Sequence, residues 1–166
     1  LLKNKILMAT IKSFEELEIW QIARELQKEV YHLTLTDTLA KDFELKDQLR
    51  RSSGSIMDNI AEGFGRGSRL EFIQFLSISK ASANELQSQF IRCVDRKHIS
   101  ADIFNKLNEK VTKSINKIGA FIRYLNKTDI KGQKFMHRDT TNNQPQTPNP
   151  ELLTLNNKQR ETRNEE

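Results

Sequence analysis

No proline occurs in the first 144 residues, and across that span apolar residues recur at steps of three and four. That is the period of one helix face, and no stretch alternates with the period of two that a half-buried strand needs. The chain therefore reads as all-helical. Ser13-Phe14-Glu15-Glu16 has the form of a capping box, in which the serine oxygen accepts an orphan N–H and Glu16 reaches back. Ile19, Ile22, Ala23, Leu26, Val30 and Leu33 then share a face, which predicts a first helix over about 14–36.

Asp42 is the expected N-cap of a second helix, whose buried stripe is Leu45, Leu49, Ser52, Ser53, Ile56 and Ile60. The small residues here, with Gly54 beside them, allow a neighbouring backbone to come close. Gly63-Phe64-Gly65-Arg66-Gly67 is expected to end this helix, because glycine takes the left-handed conformation without steric cost. A second capping box, Ser68-Arg69-Leu70-Glu71, opens a third helix with the stripe Phe72, Leu76, Ser79, Ala83, Leu86, Phe90 and Val94. Phe75, Ile78 and Cys93 widen that face, and the helix is expected to stop near Lys97-His98. Ser100 caps a fourth, which turns Phe104, Leu107, Val111, Ile115, Ile118, Ile122 and Leu125 inward. Long helices joined by short connections pack as antiparallel neighbours. The expected fold is an antiparallel up-and-down four-helix bundle over 13–130, after an N-terminal extension at 1–12.

The composition changes at about Gly132. Residues 140–150 hold all three prolines with a run of Asn, Gln and Thr, and Leu152, Leu153 and Leu155 are an isolated apolar trio. Such a segment buries too little surface to offset its ordering entropy, so 131–166 is expected to be a disordered polar tail. Lys and Arg exceed Asp and Glu by 27 to 22, a net charge of +5 that favours polyanionic partners. One cysteine, Cys93, makes neither a disulfide framework nor a paired-cysteine metal site, which fits a reducing compartment. No apolar run is long enough to span a bilayer and none resembles a secretory signal, so a cytoplasmic protein without a membrane partner is expected.

No catalytic constellation emerges. His32, His98 and His137 lie on different segments without metal-ligand spacing, and each reads as an ordinary surface residue. Cys93 reads as a small buried hydrophobe. No nucleophile is paired with a base, and no Glu-x-x-His pair is present for a two-metal bundle site. The chain is therefore expected to carry no metal, no cofactor and no small-molecule substrate, and not to be an enzyme. The glycine-rich turn precedes a helix N-terminus where an anion would find Arg66 and Arg69. It lacks the Gly-Lys-Ser/Thr ending of a phosphate loop, and a turn needing positive φ explains it more economically.

The densest charge lies in the fourth helix, where Lys106, Lys110, Lys113 and Lys117 fall within about 60° on a helical wheel. With Arg66 and Arg69 these are the candidate nucleic-acid-binding residues; a solvated outer face is the competing reading. In the first helix Leu17, Trp20 and Tyr31 lie off the main stripe, and a second apolar side of this kind points to an oligomer interface.

Phe14-Glu-Glu-Leu-Glu-Ile-Trp-Gln-Ile-Ala and Leu49-Arg-Arg-Ser-Ser-Gly-Ser-Ile-Met-Asp-Asn-Ile-Ala-Glu-Gly-Phe-Gly-Arg resemble the four-helix bundle family of 23S rRNA intervening-sequence proteins. The likeness continues through Phe72-Ile-Gln-Phe-Leu and Ser82-Ala-Asn-Glu-Leu, covering about 14–126. This chain has Ser-Ser-Gly-Ser where an alanine-rich string is common in the family. The resemblance implies a left-handed bundle assembled into a ring, a homo-oligomer expected to be a pentamer, and a genomic association with insertions in rRNA genes. The family is also similar, in fold and charge, to the accessory variability determinant of diversity-generating retroelements, which works with a reverse transcriptase and nucleic acid. Carried onto this sequence, the family motif falls on Arg50, Arg51, Asn59, Glu62, Gly63 and Arg66, with structural roles at the helix end, the turn and inter-helix hydrogen bonds. The expectation is a non-enzymatic oligomeric bundle that binds RNA or a nucleoprotein partner through basic outer faces. The alternative is a protein–protein interaction scaffold without nucleic-acid affinity.

Overall fold

Three of the four expected caps set the helix starts. Asp42 Oδ1 accepts the Leu45 N–H at 3.2 Å, Ser68 Oγ the Glu71 N–H at 3.5 Å, and Ser100 Oγ the Ile103 N–H at 3.3 Å. In the computed structural model, which describes residues 11–36 and 38–127, the helices are α1 Glu18–Leu33, α2 Phe43–Gly65, α3 Arg69–Asp95 and α4 Ala101–Lys127. Single 3₁₀ turns occupy Phe14–Glu16 and Leu39–Lys41, and no strand occurs among the described residues. The expected tail at 131–166 and most of the expected extension at 1–12 lie outside the described residues.

The first capping box caps a different element from the one expected. Ser13 Oγ accepts from the Glu15 N–H at 3.3 Å, and Glu16 accepts from the Lys12 N–H at 3.4 Å, so the box closes the 3₁₀ turn. Leu17, in extended geometry, then separates the turn from α1. Its side chain is buried in the core, and Phe14 packs edge-on to Trp20 with ring centroids 5.1 Å apart. Burial of Leu17 outweighs a few more residues of continuous helix.

The glycine-rich segment also behaves differently. Helix α2 runs through Gly63 to Gly65, and only Gly67, at φ +68°, takes the left-handed conformation. Gly63 serves contact instead: a Cβ there would lie 2.6 Å from Phe75 Cβ and 2.9 Å from Phe72 Cδ2. Helix α3 ends with the left-handed residue Lys97, at φ 58°. The Lys97 N–H bonds Val94 O at 2.9 Å and the His98 N–H bonds Cys93 O at 2.8 Å, the paired bonds of a Schellman ending without its usual glycine.

The bundle is antiparallel, each helix packing on the next and α4 returning to α1. Along the α2–α3 seam residue numbers fall on one helix as they rise on the other. Arg92 donates to Gln48, Ser52 Oγ to Gln89 Oε1 at 2.6 Å, and Ser55 and Ser82 share a bond of 2.9 Å. Ser79 Oγ donates to Ile56 O at 2.8 Å. The expected stripes form the core, and Leu45, Leu49, Ile56, Ile60, Leu76, Leu86 and Phe90 are wholly buried. Ile78 departs from expectation: it stays half-exposed beside the polar α2–α3 seam. Cys93 is buried and free, and burial pushes its thiol up to about 11.

The close approach at Gly63 carries a measurable consequence. Gly63→Ala is expected to lower stability by about 1–3 kcal/mol, the usual cost of overpacking. Gly65→Ala, where a Cβ meets nothing within 4 Å, is expected to be neutral or stabilising. Thermal or urea unfolding of the two variants checks the contrast.

Candidate functional site

Lys106, Lys110, Lys113 and Lys117 are all exposed, but the stripe is not an isolated outer face. It flanks α1, whose Glu18, Glu25 and Glu29 lie on the side turned to α4. Lys110 pairs with Glu29, and Lys117 Nζ pairs with Glu18 at 2.7 Å. Lys110 and Lys113 also line a groove of about 290 Å³ between α1 and α4, with Gln21, Ile22, Glu25, Leu26 and Glu29. The expectation of an outward-facing basic stripe is corrected: two of its four lysines are paired with carboxylates of α1. Residues far apart in sequence supply those carboxylates, so a single-helix wheel does not reveal them.

The anion site considered at the α3 N-terminus is not assembled either. Arg66 Nη2 pairs with Glu62 at 2.6 Å and its guanidinium lies 5.4 Å from the centre of the Phe75 ring. Arg69 Nη1 turns to α4 and donates to Leu125 O at 2.9 Å, satisfying a carbonyl near the end of that helix.

The family-motif residues hold structure, partly as the resemblance implies. Arg50 Nε bonds the buried Thr34 Oγ1 at 2.8 Å, joining α2 to the end of α1, and its guanidinium sits 4.9 Å over Tyr31. Asn59 bonds within its own helix, to Ser55 O at 2.7 Å. Arg51 is exposed.

Of the residues assigned to an oligomer interface, Leu17 is corrected: it is a core residue at 3% exposure. Trp20 is half-buried between Phe14 and Arg24, whose guanidinium lies 5.7 Å from the ring centre. Tyr31 remains exposed. The sequence reading missed Leu35 and Phe43, which are 54% and 71% exposed at the same end of the α1–α2 pair. Phe43 follows a cap and Leu35 lies past the helix end, so neither belongs to a periodic stripe.

A second group was read as an ordinary surface residue. His98, with only 10% of its side chain exposed, joins the α1–α2 and α3–α4 connections. One ring nitrogen lies 2.8 Å from Thr38 Oγ1 and the other 2.9 Å from Asp42 Oδ2, while Arg96 reaches the same carboxylate oxygen at 2.8 Å. Thr, His and Asp in this order are the partners of a nucleophile–base–acid triad. Here the aspartate is also the N-cap of α2 and the partner of Arg96, so the group ties the two connections together.

The basic region that sequence reading overlooked lies between α3 and α4. Helix α3 has no carboxylate between Glu71 and Glu85, and α4 has none after Glu109. Lys80 from α3 and Arg123 from α4 converge over the backbone of Gly119: a Cβ there would lie 3.5 Å from Arg123 Nη1 and 3.8 Å from Lys80 Nζ. The two cationic ends are thus within about 7.3 Å, a repulsion of roughly 0.6 kcal/mol in bulk water and more near a protein surface.

The sequence profile of the 23S rRNA-intervening sequence proteins matches residues 15–120. The chain belongs to that family. Its fold is similar to a crystal structure of a protein of unknown function from the S23 ribosomal protein family of Bacteroides thetaiotaomicron, with a TM-score of 0.60 and 23% identity. That match covers 63% of this chain and 95% of the other, and at this identity it speaks for fold alone. No curated protein matches the sequence significantly. No helix among the described residues is long and apolar enough to cross a membrane.

The clamp in this family member titrates. Arg96 first, then His98 and the Leu45 N–H, hold the Asp42 carboxyl at about 2, below its ordinary 3.8. A depressed carboxyl adds stability that is complete above 3.8 and is lost as pH falls toward about 2. The melting temperature of the wild type should exceed that of Asp42→Asn at neutral pH, and the gap should close across that acid window. A gap independent of pH would show that Asp42 acts only as a cap.

Proposed function

We propose that the protein is a non-enzymatic, self-associating bundle whose assembly binds RNA or a nucleoprotein through basic outer faces. The observation that carries the self-association is the exposed cluster of Tyr31, Leu35 and Phe43 where α1 ends and α2 begins. Cations border it: Arg50 covers Tyr31, and Lys46 Nζ lies 4.2 Å from the centre of the Phe43 ring. Large aromatic side chains ringed by arginine and lysine stems match the composition of protein–protein hot spots. The family resemblance suggests a pentamer, in which any basic face recurs on each subunit. Repetition favours a polyanion, because each neutralised phosphate releases counterions. The net charge of +5 and the family's association with rRNA-gene insertions support RNA as that polyanion. The lone buried Cys93 suits a reducing compartment, and the reading places the protein in the cytoplasm.

Light scattering on the full chain tests the assembly. The wild type is expected to be a multimer at micromolar concentration. Tyr31→Glu with Phe43→Glu should shift it to monomer while preserving helicity, since both side chains are exposed. A monomeric wild type would overturn the reading. A multimer with no salt-sensitive affinity for any RNA would leave a scaffold for protein partners.

A further inference from the structure

We infer that the groove between α3 and α4, centred on Lys80, Gly119 and Arg123, is a phosphate-binding site for the backbone of RNA. The inference rests on the RNA reading above and gives it a location. Three observations support it. Lys80 and Arg123 converge over one point of backbone, yet neither has an ion-pair partner among the described residues. Lys28, Arg66, Arg96, Lys110 and Lys117, by contrast, each have a carboxylate within reach.

The second observation is the lack of acid around them. From Phe72 to Asn84 on α3, and from Lys110 to Lys127 on α4, there is no Asp or Glu. The side of α4 facing α3 carries Thr112 and Asn116 as well, and helical spacing puts Asn84 beside Lys80. This hydroxyl and these amides supply neutral donors and no competing negative charge.

The third is Gly119 itself. A glycine inside a long helix is destabilising relative to alanine, so its presence calls for a reason. Gly63 has one in packing; Gly119 does not, since a Cβ would meet nothing nearer than 3.5 Å and only the flexible ends of Lys80 and Arg123. Without a methyl at 119 the two cationic ends lie over bare backbone. Charge-assisted hydrogen bonds to phosphate run about 2.7–2.9 Å, so one phosphate group can bridge two cations no more than about 7.3 Å apart. Bound there it would remove their mutual repulsion. The contacts are to phosphate, so they position RNA without reading its sequence.

The test is fluorescence anisotropy of the full chain with a labelled single-stranded oligouridylate, between about 50 and 200 mM salt. Lys80→Gln with Arg123→Gln is expected to weaken binding about tenfold or more. It should also reduce the log–log salt slope by about 0.7, the share of one single-strand phosphate. A charge-matched variant, Lys106→Gln with Lys113→Gln, is expected to lose far less. Circular dichroism and light scattering should show both variants folded and assembled like the wild type. Unchanged binding by the Lys80/Arg123 variant, while the wild type binds, would overturn the groove and leave the RNA reading standing. Equal losses in the two variants would overturn the groove as well, because only total charge would matter. A wild type without salt-sensitive RNA binding, or one that prefers polyglutamate or anionic phospholipid vesicles, would overturn both.

Discussion

The α2–α3 seam is the contact on which the rest of the bundle depends. At one end Gly63 lets α2 approach the rings of Phe72 and Phe75 until no methyl group fits between. Further along, Ser52 meets Gln89, Ser55 meets Ser82, and Ser79 meets the backbone of α2. Buried polar groups are costly when unpaired, so these bonds disfavour any slipped register of the two helices. Apolar packing alone would tolerate such a slip more readily. The serine string that lowers helix propensity in α2 thus contributes specificity to the pair. One hydroxyl departs from the pattern: Ser114 Oγ on α4 is buried with no partner among the described residues. It weakens the side of the core that faces away from this seam.

Charge organises the opposite side. Helix α1 is the shortest of the four and leans on α4 through Lys110–Glu29 and Lys117–Glu18. Exposed pairs of this kind contribute about 0–1 kcal/mol each, so they orient α1 more than they hold it. The same pairing takes two lysines out of the outward-facing charge. Lys80 and Arg123 meet on the α3–α4 face, away from the carboxylates of α1, while Tyr31, Leu35 and Phe43 are exposed where α1 ends and α2 begins. The exposed apolar side chains and the Lys80–Arg123 pair therefore occupy different parts of one small domain.

Local features of the fold were legible in the sequence, and long-range ones were not. Apolar periodicity and the caps at Asp42, Ser68 and Ser100 depend on residues within one helical turn, and they located three helix starts and nearly every core position. The first capping box misled because the competing demand, burial of Leu17, comes from the core. Gly63 and Gly67 look alike in sequence but differ in what surrounds them. The candidate sites suffered more. Whether a lysine is free depends on a carboxylate some eighty or a hundred residues away, as for Lys110 and Lys117. The same holds for His98, whose partners Thr38 and Asp42 lie on another connection. The absence of acid in α4 after Glu109 was visible in the sequence, and it was the signal that could have led to Lys80 and Arg123.

Native-state hydrogen exchange measured helix by helix tests the central claim, that α2 and α3 form the most stable unit and α1 the least. Amides of α2 and α3 around Ser52, Ile56, Ser79 and Leu86 should exchange only through global unfolding. Those of α1 should exchange through a lower-energy opening, made easier still by salt that screens its pairs with α4. Exchange of α1 at the global free energy, or of α2 and α3 below it, would contradict the account.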